Sequence, residues 1–174
     1  MEEEITLPLE SQVNAGELAA IGLVIAEWSA IERALLYVLS GLLVADAKTS
    51  ADYAPAVFMG TGMGYRVLLG LIRAIVEIEF PTDVKEFDKI MEDLQKSADK
   101  RDFLAHNPWS RSTEKADAIG AVRLKTVGGV KSNRLDYTAK EIRAIALEMH
   151  QRYEALVTFL KHRGAWRNPP QTLA

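Results

Sequence analysis

Cysteine is absent from the 174 residues, so the chain builds no disulfide framework, no thiolate nucleophile and no zinc-thiolate site. A reducing compartment is compatible with that composition. Lysine and arginine are missing from Met1 to Glu32, a stretch that carries seven acids. The acidic start Met1-Glu2-Glu3-Glu4 is opposite in sign to a secretory leader, and no export signal is visible. An uninterrupted hydrophobic run is missing as well. The richest one, Ala19 to Leu43, is broken by Glu27, Glu32 and Arg33, which predicts a buried helix, no membrane partner and a cytoplasmic location. Neither a G-x-S-x-G elbow nor an H-E-x-x-H element occurs. Glu77 and Glu79 fall on different faces of a helix, unlike a glycosidase pair. His150 and His162 have no metal-ligand spacing to each other or to His106 and read as surface residues; neither a metal nor a cofactor is expected. No internal repeat is present.

What the chain does have is enough apolar residue, 48%, to bury the core of one domain. The expected fold is mainly α: an up-and-down helical bundle of about five helices with a short β-hairpin inserted before the last one. Residues 1 to 13 read as a polar arm, 14 to 164 as the helical domain, with the hairpin at about 118 to 137, and 165 to 174 as a loose tail. Asn14 with Glu17 forms a capping box that opens a helix running to about Val44. Leu18, Ile21, Ile25, Trp28, Glu32, Leu35, Leu39 and Leu42 follow a three-four alternation, the seam of a helix contact that Glu32 alone interrupts. A short helix is expected from Thr49 or Ser50 to about Met59. Gly60-Thr61-Gly62-Met63-Gly64 lacks the dinucleotide spacing and a P-loop lysine, so it reads as a helix-helix turn. From Tyr65 to Phe80, Val67, Leu68, Leu71, Ile72, Ile75 and Val76 are expected to be buried. Pro81 stops that helix.

The next helix carries Val84, Phe87, Met91, Leu94 and Ala98 as one apolar stripe, and the stripe continues to Arg101 and Ala105. Ala118 to Val127 and Val130 to Tyr137 alternate like strands around Gly128-Gly129. Thr138-Ala139-Lys140-Glu141 is a second capping box, and it opens a last helix with Ile142, Ile145, Met149, Leu156 and Leu160 inward.

The chemistry concentrates at Arg101-Asp102-Phe103-Leu104-Ala105-His106-Asn107-Pro108-Trp109. A guanidinium entering an apolar stripe needs an acidic partner, an interface or a ligand. Pro108 forces Asn107 out of the helix and leaves His106 in the last turn, where the negative end of the helix dipole favours a protonated imidazole. Arg101 and His106 are about 140° apart on an ideal helix, whereas Asp102 and His106 share a face. Convergence of Arg101 on His106 therefore calls for a bent terminal turn or a second copy of the helix. Glu32 in the seam invites a cation, with Arg101, Arg73 and His106 as candidates: either it holds Arg101 from the neighbouring helix, the preferred reading, or it pairs with Lys or Arg in solvent at the seam's edge. Between Lys96 and Arg134 nine basic residues face four acids, a local excess of five positive charges that suits a phosphate-bearing partner or else a solvated hairpin.

The motif Arg101-Asp102-x-x-x-His106 at the end of a late helix resembles the R-x(4-6)-H signature of the HEPN superfamily. The helix order resembles the family over roughly residues 15 to 163. The resemblance implies metal-independent RNA cleavage, in which the ribose 2′-hydroxyl attacks the adjacent phosphate. His106 then serves as general base or acid, Arg101 clamps the phosphate oxygens, and Asp102 orients His106 or stays outside the chemistry. It further implies a homodimer with its cleft at the interface, an RNA substrate, a toxin or anti-phage role, and an antitoxin protein as a further partner. Glu32 and Asn107 are supporting candidates. Lys100, Trp109, Arg111, Arg123 and Lys125 are candidates for RNA binding, with Trp109 stacking on a base or packing under the hairpin. Two other readings compete: a non-catalytic HEPN-like module that binds RNA, a nucleotide or a protein, and a purely structural helical dimer.

Overall fold

The computed structural model describes residues 13 to 43, 64 to 125 and 131 to 163, with the side chains of 40, 41, 123 to 125 and 131 to 133 outside that description. Among the described residues there are four long helices: α1 (Ala15–Leu43), α2 (Tyr65–Glu79), α3 (Val84–His106) and α4 (Ala139–His162). A 3-10 turn, Pro81–Asp83, joins α2 to α3. A three-stranded antiparallel sheet is inserted between α3 and α4, in the order β1 (Trp109–Arg111), β2 (Ala118–Lys125), β3 (Lys131–Thr138). The protein is thus mainly α with a small hairpin before its last helix, as the sequence predicts. The expected short helix near residues 49 to 59, most of the glycine-rich turn, the N-terminal arm, the tip at Gly128-Gly129 and the C-terminal tail lie outside the described residues.

The chain divides into two compact units, one of Met1–Trp28 with Lys96–Met149, the other of Ser29–Gln95 with His150–Ala174. In the first, Ala20, Val24, Trp28, Phe103, Leu104, Ile119, Ile142 and Met149 are buried. The second is built around Ile31, Leu35, Leu39, Ile72, Val76, Phe87, Leu94, Leu156 and Phe159. Phe87 and Phe159 pack with ring centroids 5.3 Å apart. Removing a side chain of this size from water stabilises a fold by about 1.5–3 kcal/mol, so each unit has its own source of cohesion.

Both capping boxes form. Asn14 N donates to Glu17 Oε2 (2.8 Å) and Glu17 N to Asn14 Oδ1 (2.9 Å). Thr138 N donates to Glu141 Oε2 (2.8 Å), and Glu141 N to Thr138 Oγ1 (3.3 Å). Each pairing satisfies amides that the first helical turn leaves without partners.

Two expected faces are corrected. On α1 Trp28, Leu35 and Leu39 of the expected seam are buried, but in the first turns the buried positions are Glu17, Ala20 and Val24 while Leu18 and Ile25 are exposed, so there the seam runs one position earlier than the large aliphatics suggest. On α2 Leu68, Leu69, Ile72 and Val76 are buried, whereas Val67 and Leu71 are exposed and Ile75 is half-buried. In both helices more than one apolar stripe is available, and the buried one includes residues that periodicity alone ranks lower.

The strand β1 was not expected: three residues show too little alternation to be read. Its register with β2 pairs Trp109 with Ala121 and Arg111 with Ile119. Gly120, in the central strand, sits opposite Asp136. A side chain there would collide with the Arg134 guanidinium and the Asp136 carboxylate. Glycine clears a path for Arg134, which bonds Asp136 Oδ1 (3.0 Å) on its own strand and crosses to Ser110 Oγ (3.2 Å) and the carbonyl of Arg111 (2.8 Å) on β1.

Candidate functional site

The end of α3 is shaped by the residues that stop it. Pro108 bars the helix from continuing. Asn107 Nδ2 turns back to donate to the carbonyl of Phe103 (2.7 Å), and Trp109 Nε1 donates to the carbonyl of Leu104 (3.1 Å). Two carbonyls that a helix end leaves without backbone donors are thereby satisfied by side chains. The half-buried Trp109 indole is thus held against the helix end as it enters the sheet. Asn107 is likewise engaged as a cap.

His106 and Arg101 converge within a single chain. Arg101 Nη1 lies 3.4 Å from His106 Nε2 and donates to Asp102 Oδ1 at 2.7 Å. The expectation that this meeting calls for a bent turn or a second copy is corrected: α3 is helical through His106, and the length of the arginine side chain spans the angle between the two positions. A guanidinium has donors only, so this contact is a hydrogen bond in the tautomer whose Nε2 presents its lone pair, with the proton on Nδ1. The guanidinium carbon lies 5.9 Å from the ring centroid of Trp28, which is buried. An aromatic face under a cation is attractive and fixes its height. Trp28 was read only as an apolar seam residue. Its place beside the seam's interruption was the available signal.

Asp102 engages Arg101, not the imidazole. The Arg101 side chain is 25% exposed and that of Asp102 42%, while His106 stands exposed at the helix end. The cluster therefore offers a guanidinium, an imidazole and a carboxylate to solvent at one place. Glu32 is half-buried and belongs to the other compact unit.

Basic residues around the motif are largely matched in space. Lys100 pairs with Glu148, Arg111 with Glu17 (2.7 Å), Lys115 with Glu141 (2.6 Å) and Arg134 with Asp136 (3.0 Å). All four carboxylates come from outside residues 96 to 134, so the positive excess seen in the sequence does not stand as an open basic face at these positions. Of the RNA-binding candidates, Lys100 lines a cleft of about 230 Å³ with Asp136, Tyr137, Glu141 and Glu148. Its charged lining is three carboxylates against one lysine, which is unsuited to phosphate. Burial, with the Glu141 charge nearby, pushes the Tyr137 phenol above its ordinary range. The side chains of Arg123 and Lys125 lie outside the described residues.

Glu17 was missed as anything beyond a cap. Its side chain is 2% exposed, and one oxygen receives Arg111 from β1 while the other holds the amide of Asn14. His150 and His162 are exposed, the former 3.6 Å from Glu154. Among the described residues no three histidine or acidic side chains gather to hold a metal ion, and no helix is long and apolar enough to cross a membrane. No family model, curated protein or solved structure matches the chain.

Proposed function

We propose that the protein is a metal-independent endoribonuclease of the HEPN type, acting from the end of α3. The observation that supports this reading is the approach of Arg101 Nη1 to His106 Nε2, 3.4 Å apart on an accessible helix end. In 2′-hydroxyl attack the O2′–P bond forms as the P–O5′ bond breaks: a base takes the hydroxyl proton, a fixed cation meets the charge that grows on the non-bridging oxygens, and the departing 5′-oxygen takes its proton back from the protonated base or from water. His106, with its Nε2 lone pair presented, is the base. Arg101, fixed against Trp28, is the cation, and a phosphate displaces Asp102 as its anionic partner. Asn107 and Trp109 serve by keeping the helix end in place. A homodimer, an RNA substrate, an antitoxin that restrains the activity and a cytoplasmic site of action belong to the same proposal.

One observation favours a second reading, a non-catalytic clamp for RNA, a nucleotide or a protein: the Asp102 carboxylate is engaged by the arginine and not by the imidazole it would orient. Incubating the protein with mixed RNA in chelator separates the two. We expect cleavage leaving 2′,3′-cyclic phosphate ends, reduced about 10²–10⁴-fold by His106→Ala. No cleavage, or equal cleavage by the variant, overturns the enzyme; retained RNA binding then leaves the clamp.

A further inference from the structure

We propose that Asp102 is a resident competitor for phosphate: it holds Arg101 as a phosphate oxygen would, and so sets how strongly the end of α3 binds a nucleic-acid strand. The inference rests on the reading of Arg101 as the phosphate contact and adds an anion that this contact must first release. Asp102 Oδ1 lies 2.7 Å from Arg101 Nη1, the separation that a charge-assisted bond to a phosphate oxygen also takes. The same Nη1 is 3.4 Å from His106 Nε2. A phosphate that is to sit between guanidinium and imidazole therefore takes this nitrogen from the carboxylate.

Two features let the carboxylate be displaced. Arg101 and Asp102 are consecutive on a helix, about 100° apart around its axis, and side chains at that spacing do not face each other. Only the reach of the arginine closes the pair. Asp102 is also 42% exposed, so on release its charge returns to water with little penalty. Glu17 is the contrast, since its side chain is 2% exposed and its second oxygen holds the Asn14 amide. It cannot leave Arg111 without stranding a buried charge. Tethered one residue away, Asp102 meets Arg101 at a local concentration that dilution does not lower. Each phosphate thus replaces a carboxylate, and the displaced charge stays close enough to repel it. Loss of an exposed ion pair and that repulsion together weaken binding by about 3- to 10-fold. Free phosphate has nothing else to hold it, whereas a strand adds contacts of its own. The ligand class this favours is a phosphodiester within a chain.

The test uses the full-length protein and a short single-stranded 2′-deoxy oligonucleotide, which lacks the hydroxyl that cleavage needs. Binding is then read whether or not the protein is a nuclease, while cleavage is judged separately by the His106 variant. Asp102→Asn and Asp102→Ala, each checked for wild-type circular dichroism, should bind the strand about 3- to 10-fold more tightly than wild type by fluorescence anisotropy. Inorganic phosphate should compete against either variant at a correspondingly lower concentration. In the wild type the released carboxylate recruits a cation, which cancels the counterion that the strand gives up. In the variants the slope of log K against log salt should therefore steepen by roughly 0.7. Adding Arg101→Ala to Asp102→Asn should erase all three changes. An affinity or a salt slope that both Asp102 variants leave unchanged, a gain that survives Arg101→Ala, or a strand that neither wild type nor variant binds overturns the proposal.

Discussion

Two arginines of this protein sit over aromatic rings beside acids, and their surroundings differ in a way that separates architecture from chemistry. Arg163, just beyond α4, lies 3.7 Å above the centroid of Phe159 and reaches Asp83 (2.7 Å), Glu86 (2.8 Å) and the carbonyl of Phe159 (2.9 Å). Arg101 lies over Trp28, shares Nη1 between Asp102 and an imidazole, and ends at an accessible helix terminus. The first guanidinium joins α4 to the start of α3 with carboxylates as its partners. The second is set beside an imidazole, whose ring nitrogens can accept or donate a proton. Being half-hidden and paired does not make an arginine a candidate; the company of a proton acceptor does.

The comparison breaks most visibly if the two arginines are exchanged in an activity assay. Arg101→Ala should lower RNA cleavage by about 10²–10³-fold, with little change in Tm. Arg163→Ala should leave cleavage per folded molecule unchanged. Loss of activity in both, or in neither, removes the distinction.

A third arginine sharpens it. Glu17, buried, unites the start of α1 with Arg111 of β1. Glu17→Ala removes both a helix cap and the partner of a charge, at a cost of roughly 3 kcal/mol. Denaturant titration should show the midpoint fall accordingly; an unchanged midpoint would mean that this ion pair contributes nothing. Arg163→Ala is smaller in effect, since its acidic partners are more exposed, and should lower Tm by about 5 °C.

The smallest effect is one of pH. Lys115 and the Thr138 cap hold the Glu141 carboxyl down at about 2, against an ordinary value of 4.5. A depressed carboxyl binds its proton more readily in the unfolded chain. Its stabilisation is therefore whole above about pH 4.5 and is lost as pH falls towards 2. The Tm difference between wild type and Glu141→Gln should be present at pH 7 and vanish across that interval. A difference that persists at pH 2 would trace the effect to something other than charge.

Local rules made much of this legible in advance. Asn14 with Glu17, Thr138 with Glu141, and Pro108 as a helix stop act over a few residues, and each forms as the sequence predicts. The inward face of α4 was equally readable, because Ile142, Ile145, Met149, Leu156 and Leu160 are all buried. What escaped depends on distant partners. The phase of α1 was obscured because Ala20 is small and Glu17 is polar, yet both are buried. The neutralising of Lys100, Arg111 and Lys115 draws on acids far along the chain, which no local charge count reveals. The motif pair was visible as residue types. Its closing within one chain was not, because helical angles describe backbone positions and ignore the reach of a long side chain.

Arg134 passing over Gly120 has one more consequence. Three residues of strand hold few backbone bonds of their own, so β1 would fray readily if left to them. Laced to β3 by a charged side chain, it should open only when the hairpin does, and its amides should exchange with solvent in step with those of β3. The helix terminus that bears His106, tied to β1 through Trp109, would then inherit the rigidity of a sheet to which it does not belong.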